Sequence, residues 1–361
     1  METKSQLVDG LRKYSDLLIA KLNEDQINNP KEYLHLAYLR PEYSTNMAWA
    51  SADFADSIIA ADVVSLGSSA PLKSRGVLSK ASGDITKFSI GYRKTEKELQ
   101  ELYTLQALGG NTQIVAEKAL NDIPRCTEGV NVRNEIMFLQ GLSEGFALTP
   151  KEDEQGVGVR VSYGYKPENE LSLTTKWDAT GADPMADLQA LMDKAADDAN
   201  PVTLVVMDKK AFNLLRNSDS GKIFGANALS QVITDPKKLR ATPKNTMLEL
   251  LQDEFGVKFL IVDSTFKVQE KDGTVKQVRP WKEGAVVLLP SENVGRLVYS
   301  TLVEERKPAS HVIYNKVGDY TLISNYMETN PPAENTIGQA LVLPVIDNGG
   351  SIYRMDTVTE G

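Results

Sequence analysis

The chain has 361 residues, of which 41% are hydrophobic and 25% charged, so it can form a folded core and is long enough for two domains. Its formal net charge of −9 argues against general affinity for nucleic acid, because phosphate binding needs a concentrated excess of Lys and Arg. Cys126 is the only cysteine, which excludes an intrachain disulfide, and no apolar run approaches the roughly 20 residues that span a bilayer. We therefore expect a protein made in the cytoplasm without membrane association.

The first two dozen residues show the spacing of an amphipathic helix, which ends near Asn28-Asn29-Pro30. Its apolar stripe consists of Leu7, Leu11, Tyr14, Leu18 and Leu22. A lone helix of this length is marginal in water, so another surface must cover the stripe. Residues 33 to 61 then predict an extended arm with a short helix around residues 52 to 60.

Residues 62 to 95 combine two predicted strands, 63 to 66 and 85 to 92, with a basic loop between them. Between Leu72 and Lys94, six basic residues stand against one acid, Asp84. The basic residues are Lys73, Arg75, Lys80, Lys87, Arg93 and Lys94. Such a stretch has too little apolar material for a core. The loop is either solvated or an arm that lies on an acidic neighbouring molecule.

Helical spacing resumes from Glu96 to Leu108 and again from Ile114 to about Gly145. Pro124 and Gly129 fall inside the second pattern, which predicts a kink or a break between two collinear helices. A helical segment of this length would form a spine.

In residues 157 to 165 and 171 to 177, mostly apolar residues recur at every second position, as in β-strands. With a turn at residues 166 to 169, the two segments predict a β-hairpin. After the hairpin, Asp183 is the predicted N-cap of a helix and Pro184 its first residue. A ribbon that leads into a new α/β unit predicts a domain junction. The junction residues are Trp177, Asp183 and Pro184.

Alternating helices and buried strands follow Pro184 and predict a small α/β layer. The predicted strands are residues 202–207, 257–262, 285–289 and 295–303, with helices at 184–198, 209–216 and 246–255 and a polar hairpin at 266–278. The tail, residues 339–346 and 351–355, predicts a closing hairpin that returns to the first body. The fold class is therefore α+β.

Few residues offer catalytic or metal chemistry. His35 and His311 are the only histidines, and neither has Cys or acidic residues at metal-site spacing around it. Cys126 follows Arg125, which could lower the thiol pKa, but a small buried residue is the stronger default. We expect no catalytic residue, no metal site and no cofactor, which favours a structural protein.

Four motifs in order along the chain resemble the major capsid proteins of tailed bacteriophages, specifically the lambda-type capsid protein E family. The resemblance runs from about residue 50 to the end of the chain. The motifs are residues 63–66 leading into the basic loop, Trp177 to Leu188, Trp281 to Leu289 with Pro290 and Gly295, and Leu341 to Val345 with Ile352 and Tyr353. This resemblance implies the Hong Kong phage capsid fold.

In that family an N-terminal arm and an E-loop reach neighbouring subunits. A spine helix and sheet form the P-domain, and an α/β A-domain clusters at the hexamer or pentamer axis. The resemblance implies an N-terminal helix and arm at residues 1–61, an E-loop at 62–95, a P-domain at 96–180 with the return segment 325–361, and an A-domain at 181–324. With the local positive charge, it predicts contacts between subunits through Lys73, Arg75, Lys80, Lys87 and Arg93.

We therefore expect a structural subunit of a bacteriophage or prophage icosahedral capsid, located in the virion and not an enzyme. Its partners would be copies of itself in hexamers and pentamers, with scaffold, portal and decoration proteins as further candidates. The shell would enclose double-stranded DNA without sequence-specific binding. The alternative is a two-domain α/β enzyme or ligand-binding protein with a pocket between the two bodies, using Asp208 or Asp263 at strand ends.

Overall fold

The computed structural model describes residues 2–4, 6–28, 33–53, 79–108, 112–149, 159–229, 239–270 and 272–359. The predicted strand 63–66 and most of the predicted helix 52–60 lie outside these ranges, and Ala52 and Asp53 belong to a strand. The helices are α1 (Gln6–Gly10), α2 (Arg12–Asn28), α3 (Leu34–Tyr38), α4 (Glu96–Ala107), α5 (Thr112–Leu120), α6 (Asp122–Glu144), α7 (Pro184–Asp197), α8 (Lys209–Asn217), α9 (Asp219–Ala228), α10 (Lys244–Phe255) and α11 (Val303–Arg306).

The strands, in chain order, alternate with these helices. They are β1 (Glu2–Thr3), β2 (Leu39–Tyr43), β3 (Ala48–Asp53), β4 (Ser79–Asp84), β5 (Lys87–Lys94), β6 (Phe146–Thr149), β7 (Val159–Ser162), β8 (Glu170–Leu171), β9 (Leu204–Asp208), β10 (Lys258–Val262), β11 (Phe266–Gln269), β12 (Val275–Val278), β13 (Ala285–Leu289), β14 (Gly295–Ser300), β15 (Ile313–Val317), β16 (Thr321–Thr329), β17 (Pro332–Ile346) and β18 (Tyr353–Asp356).

The chain divides into two compact units, each built from several chain segments. Unit 1 comprises the described residues within Met1–Trp49, Ser82–Phe138 and Gly295–Val345. Unit 2 comprises those within Ala50–Ala81, Leu139–Val294 and Ile346–Gly361. These divisions differ from the predicted boundaries after residues 95, 180 and 324.

Unit 1 contains a seven-stranded sheet in which β1, β16, β17, β14 and β2 follow one another, with β15 on β16 and β5 on β17. The β5 strand pairs antiparallel with β17 along its whole length, from Lys87 opposite Leu341 to Lys94 opposite Glu334. This half of the predicted E-loop is therefore part of a folded sheet. The predicted strand 85–92 is confirmed as β5, and its pairing with β17 was not predicted.

Helices α1, α2, α4, α5 and the start of α6 supply the apolar layer of unit 1. Leu7 and Leu11 of the N-terminal stripe are buried there, and Tyr14, Leu18 and Leu22 pack against the same cluster. The surface that covers the predicted stripe is thus provided by the chain itself.

The long helical pattern is broken at Asn121, between α5 and α6. Pro124 lies in the first turn of α6, where a missing backbone N–H costs no helical hydrogen bond. Gly129 lies inside α6, and a Cβ there would come 2.6 Å from Ile90 Cδ1. The predicted break exists, but it precedes Pro124, and Gly129 serves the approach of β5 to the helix.

Unit 2 contains a five-stranded sheet in the order β10, β9, β13, β18, β8. The β9 and β10 strands are parallel, and β13 runs antiparallel to both β9 and β18. Val205 and Val206 of β9 and Val287 of β13 are at most 1% exposed. The 266–278 hairpin and the buried strands β9 and β13 are confirmed, whereas β10 is only partly buried. The predicted strand 295–303 is β14, which belongs to the sheet of unit 1 and not to this layer.

Two predicted hairpins are wrong. The β7 strand pairs with β6, and β8 pairs in parallel with β18, so residues 157 to 177 do not form a two-stranded ribbon. In the tail, β17 belongs to the seven-stranded sheet and β18 to the five-stranded sheet. Alternation identifies a strand but not its partner, because many strands offer a matching apolar face. No described helix is both long and apolar enough to cross a bilayer.

Candidate functional site

The two strand-end carboxylates of the enzyme alternative have structural roles. Asp208 ends β9 and caps α8, accepting a hydrogen bond from the backbone N–H of Ala211 at 2.9 Å. Burial raises the pKa of the Asp208 carboxyl, and backbone hydrogen bonds from Ala211, Gly284 and Lys210 oppose that rise. Asp263 follows β10, and its Oδ2 accepts from Lys209 Nζ at 2.6 Å. Asp208 therefore caps a helix, and Asp263 forms a surface ion pair.

His35 and Glu135 form a buried pair in unit 1. His35 Nδ1 lies 2.7 Å from Glu135 Oε2, and the carboxylate also accepts from the backbone N–H groups of Leu34 and His35. Every oxygen of Glu135 therefore serves to fix α3 against α6. Among the residues that the structure describes, no group of three or more His, Cys, Asp or Glu side chains could hold a metal ion.

Cys126 is fully buried, and burial raises the pKa of its thiol to about 12. Its Sγ lies 3.7 Å from the backbone oxygen of Thr336. A thiol with so high a pKa carries almost no thiolate near neutral pH. The default interpretation of Cys126 as a small core residue fits this position.

The basic residues of β5 have acidic partners within unit 1. Lys87 Nζ lies 3.1 Å from Glu304 Oε1, and Arg93 Nη2 lies 2.8 Å from Glu328 Oε2. These four side chains remain between 31% and 47% exposed, so both pairs are on the surface. Lys94 instead is buried in an ion pair with Asp122. Lys80 lies in β4, whereas Lys73 and Arg75 lie outside the described residues.

Sequence reasoning missed the acidic partners of the basic segment. Glu304 and Glu328 are more than 200 positions away from the residues they pair with. No local spacing connects them. Glu328 lies on β16, which pairs with β17 as β5 does, and Glu304 lies on α11, so only the folded unit brings these groups together.

The predicted junction residues lie in unit 2. Asp183 is the N-cap of α7, accepting from the backbone N–H of Ala186 at 3.2 Å, and Pro184 is the first helical residue, as predicted. Trp177 is buried in the core of that unit and donates its indole N–H to Asp187 at 2.9 Å. Burial raises the pKa of Asp187, and the bond from Trp177 opposes the rise. The structure therefore brings these three residues together at the start of α7, and a boundary role stays a prediction.

Comparison with known proteins decides the family. Residues 18–357 match the sequence model of the family described as phage major capsid protein E. The chain belongs to the phage major capsid protein E family. This capsid protein is thus a structural subunit of a bacteriophage or prophage capsid, and no observation supports the enzyme alternative. No curated protein sequence matches it.

Several solved structures are similar to the capsid protein, and the first of them shows its fold. The crystal structure of a protein assigned as the capsid protein of a prophage in Escherichia coli CFT073 aligns over 95% of this chain and 98% of its own, with 14% identity and a TM-score of 0.56. A phage-related protein from Bordetella bronchiseptica RB50 aligns over 94% and 96%, with 9% identity and a TM-score of 0.49. The satellite phage P4 procapsid aligns over 96% and 100%, with 10% identity and a TM-score of 0.45. The capsid protein has the α+β Hong Kong phage capsid fold.

Proposed function

We propose that this capsid protein assembles into hexamers and pentamers that close into an icosahedral shell around double-stranded DNA, and that it performs no enzymatic reaction. The family match over residues 18–357 carries the proposal. The structural use of Asp208, Asp263 and Glu135 supports it, because these buried or strand-end carboxylates are engaged in the fold. We propose synthesis in the host cytoplasm, with scaffold, portal and decoration proteins as further partners.

The roles that we propose for the segments of the chain are those of the family. Residues 1–61 would act as an N-terminal arm and 62–95 as the E-loop, with the P-domain at 96–180 and 325–361 and the A-domain at 181–324. The compact units favour two changes to these limits. The β14 and β15 strands pair within the sheet of unit 1, and β18 pairs within the sheet of unit 2. We propose that the first two act with the P-domain and the third with the A-domain.

The proposed contact between subunits uses the basic segment, chiefly Lys73, Arg75 and Lys80. Lys87 and Arg93 already have acidic partners on their own chain, which lowers the net charge they can offer to a neighbour. The other three lie outside β5 and add positive charge to a chain whose total is −9. An acidic neighbouring copy is the surface that this charge fits.

Reversing Lys73, Arg75 and Lys80 to Glu tests the contact. We expect the isolated subunit to keep its melting temperature while shells no longer form, because each exposed ion pair is worth only about 0.2–1 kcal/mol but recurs in every subunit. Assembly of the wild-type chain should also weaken as salt rises. Electron microscopy and analytical ultracentrifugation measure assembly, and thermal melting measures the fold.

A matched control reverses Lys97, Lys118 and Lys166, which are exposed and change the net charge by the same amount. This control should still assemble. Normal shells from the first triple variant would rule out the basic segment as the contact. An unfolded first variant would show that the segment belongs to a core, and a wild-type chain that stays monomeric under every condition would refute self-assembly.

A further inference from the structure

The hairpin of β11 and β12 is a two-stranded sheet that pairs with no other described strand. Phe266 lies opposite Val278 and Gln269 opposite Val275, so its register is complete along both strands. None of its described residues from 266 to 278 is buried. An isolated two-stranded hairpin is marginally stable in water, so this ribbon gains from any surface that covers it.

The two faces of the ribbon differ in exposure. The alternation places the half-buried Phe266, Val268 and Val278 on one face, together with the exposed Lys276. Every residue of the opposite face, which we call the outer face, is exposed, and Val275 on it is 56% exposed. The outer face consists of Lys267, Gln269, Val275 and Gln277, with Arg279 next in the same alternation.

The charged side chains of the outer face are both cations, Lys267 and Arg279, and the acids of the hairpin have other partners. Glu270 forms an ion pair with Lys276, and Asp272 accepts hydrogen bonds from the N–H and hydroxyl of Thr274. Lys267 forms no ion pair with the described part of the chain. Arg279 acts at longer range on Asp263, whose pKa is lowered mainly by its hydrogen bond to Lys209. A chain with a net charge of −9 offers many acidic surfaces to such a face.

Helix α7, in the same unit, presents the complementary charge. Leu188, Leu191 and Ala195 bury one side of it in the core of unit 2, and Asp193 and Asp197 are exposed. These two carboxylates lie four positions apart, where like charges on a helix repel, and they lie toward its negatively polarised C-terminal end. Gln189 donates a hydrogen bond to Asp193, but no described cation forms an ion pair with either carboxylate.

We propose that the outer face of the β11–β12 ribbon docks on α7 of a second copy of this chain, with Lys267 and Arg279 facing Asp193 and Asp197. The cations of one copy would relieve the repulsion on the helix of the next, and Val275 would lose exposed apolar surface. The two patches are different, so the contact is head-to-tail, the type of interface that closes into rings. This inference rests on the proposed self-assembly and names one contact that would form the ring.

Charge exchange tests the contact. One variant carries Lys267→Glu and Arg279→Glu, the second carries Asp193→Lys and Asp197→Lys, and the third carries all four changes. We expect each of the first two to weaken association about tenfold or more, and the third to restore it toward the wild-type value. Sedimentation at several protein concentrations measures association. Lys118→Glu with Lys166→Glu is the charge-matched control for the first variant, and it should associate as the wild type does.

Cross-linking tests the geometry without relying on charge. The single variants Lys267→Cys and Asp193→Cys are mixed and treated with a short bismaleimide, while Cys126 stays protected because it is fully buried. We expect a covalent dimer in the mixture and not in either variant alone. Thermal melting of each variant checks that its fold is retained.

The outcomes separate this contact from self-assembly in general. If the wild type assembles but the first two variants associate normally, or the mixture gives no dimer, the ribbon does not dock on α7. If the third variant associates no better than the first two, the two patches do not face each other. If the wild type itself never associates, both the proposed function and this contact are wrong.

Discussion

Glu135 illustrates how this capsid protein uses a buried carboxylate. It accepts hydrogen bonds from the backbone N–H groups of Leu34 and His35 and lies within hydrogen-bond distance of His35 Nδ1, and its side chain is only 2% exposed. Removing one partner of a buried polar pair leaves the others unsatisfied, which usually costs more than the pair contributed. At the scale of single residues, therefore, side chains that could take part in a reaction mainly hold the backbone in place.

The raised pKa of Asp208 predicts how the stability of the folded chain depends on pH. Burial raises its pKa above the unfolded value, so ionising this carboxyl destabilises the folded chain as pH rises through that interval, and no such penalty exists at lower pH. Asp208→Asn removes the charge and keeps an oxygen that can cap α8. The stability of this variant relative to wild type should therefore rise between about pH 3.5 and about pH 7 in thermal melts.

Asp263→Asn is the control with the opposite sign. The hydrogen bond from Lys209 lowers the pKa of Asp263, so the ionised form stabilises the folded chain above the unfolded pKa, and that contribution is lost as pH falls. Asp263→Asn should therefore lose stability relative to wild type as pH rises. Equal slopes for the two variants would contradict the assigned roles.

At the scale of elements, small residues of α6 set how closely other segments approach it. Gly141 lies where a Cβ would overlap the ring of Tyr163 and come 3.2 Å from Ile346 Cδ1. Tyr163 is 1% exposed, so its ring is packed inside the core. The close approach of this ring to the helix depends on the absence of a side chain at residue 141.

Gly141→Ala should therefore destabilise the isolated subunit by roughly 1–3 kcal/mol, the usual cost of overpacking a filled core, measured by urea unfolding. Gly10→Ala is the matched control, because nothing lies within 4 Å of a Cβ at Gly10 and alanine favours helix. That control should be neutral or slightly stabilising. A Gly141→Ala variant as stable as Gly10→Ala would show that Tyr163 can move at little cost.

At the scale of the whole molecule, the net charge of −9 bears on whether the subunit binds nucleic acid. Non-specific DNA binding depends on the release of counterions by Lys and Arg, which an excess of acidic residues does not favour. We expect the purified subunit to show no measurable binding to duplex DNA at about 0.15 M salt in a gel-shift assay. Binding that weakens steeply with salt would indicate a concentrated basic surface and contradict this expectation.

The sequence alone determined the elements whose signals are local. The cap at Asp183 with Pro184, the apolar run of β9 and the hairpin from 266 to 278 each depend on neighbouring residues, and each was predicted from them. The order of motifs was sufficient to indicate the capsid family.

Only the tertiary structure decided which strands pair and which charges meet. Alternation in β7 and β8 predicted a hairpin, but β7 pairs with β6 and β8 pairs with β18. The sequence of a strand does not specify which strand it pairs with. Lys87 and Arg93 were predicted to reach another subunit, and the structure places acids more than 200 positions away beside them. Contacts between residues distant along the chain depend on how all elements pack together, so no local pattern could have specified them.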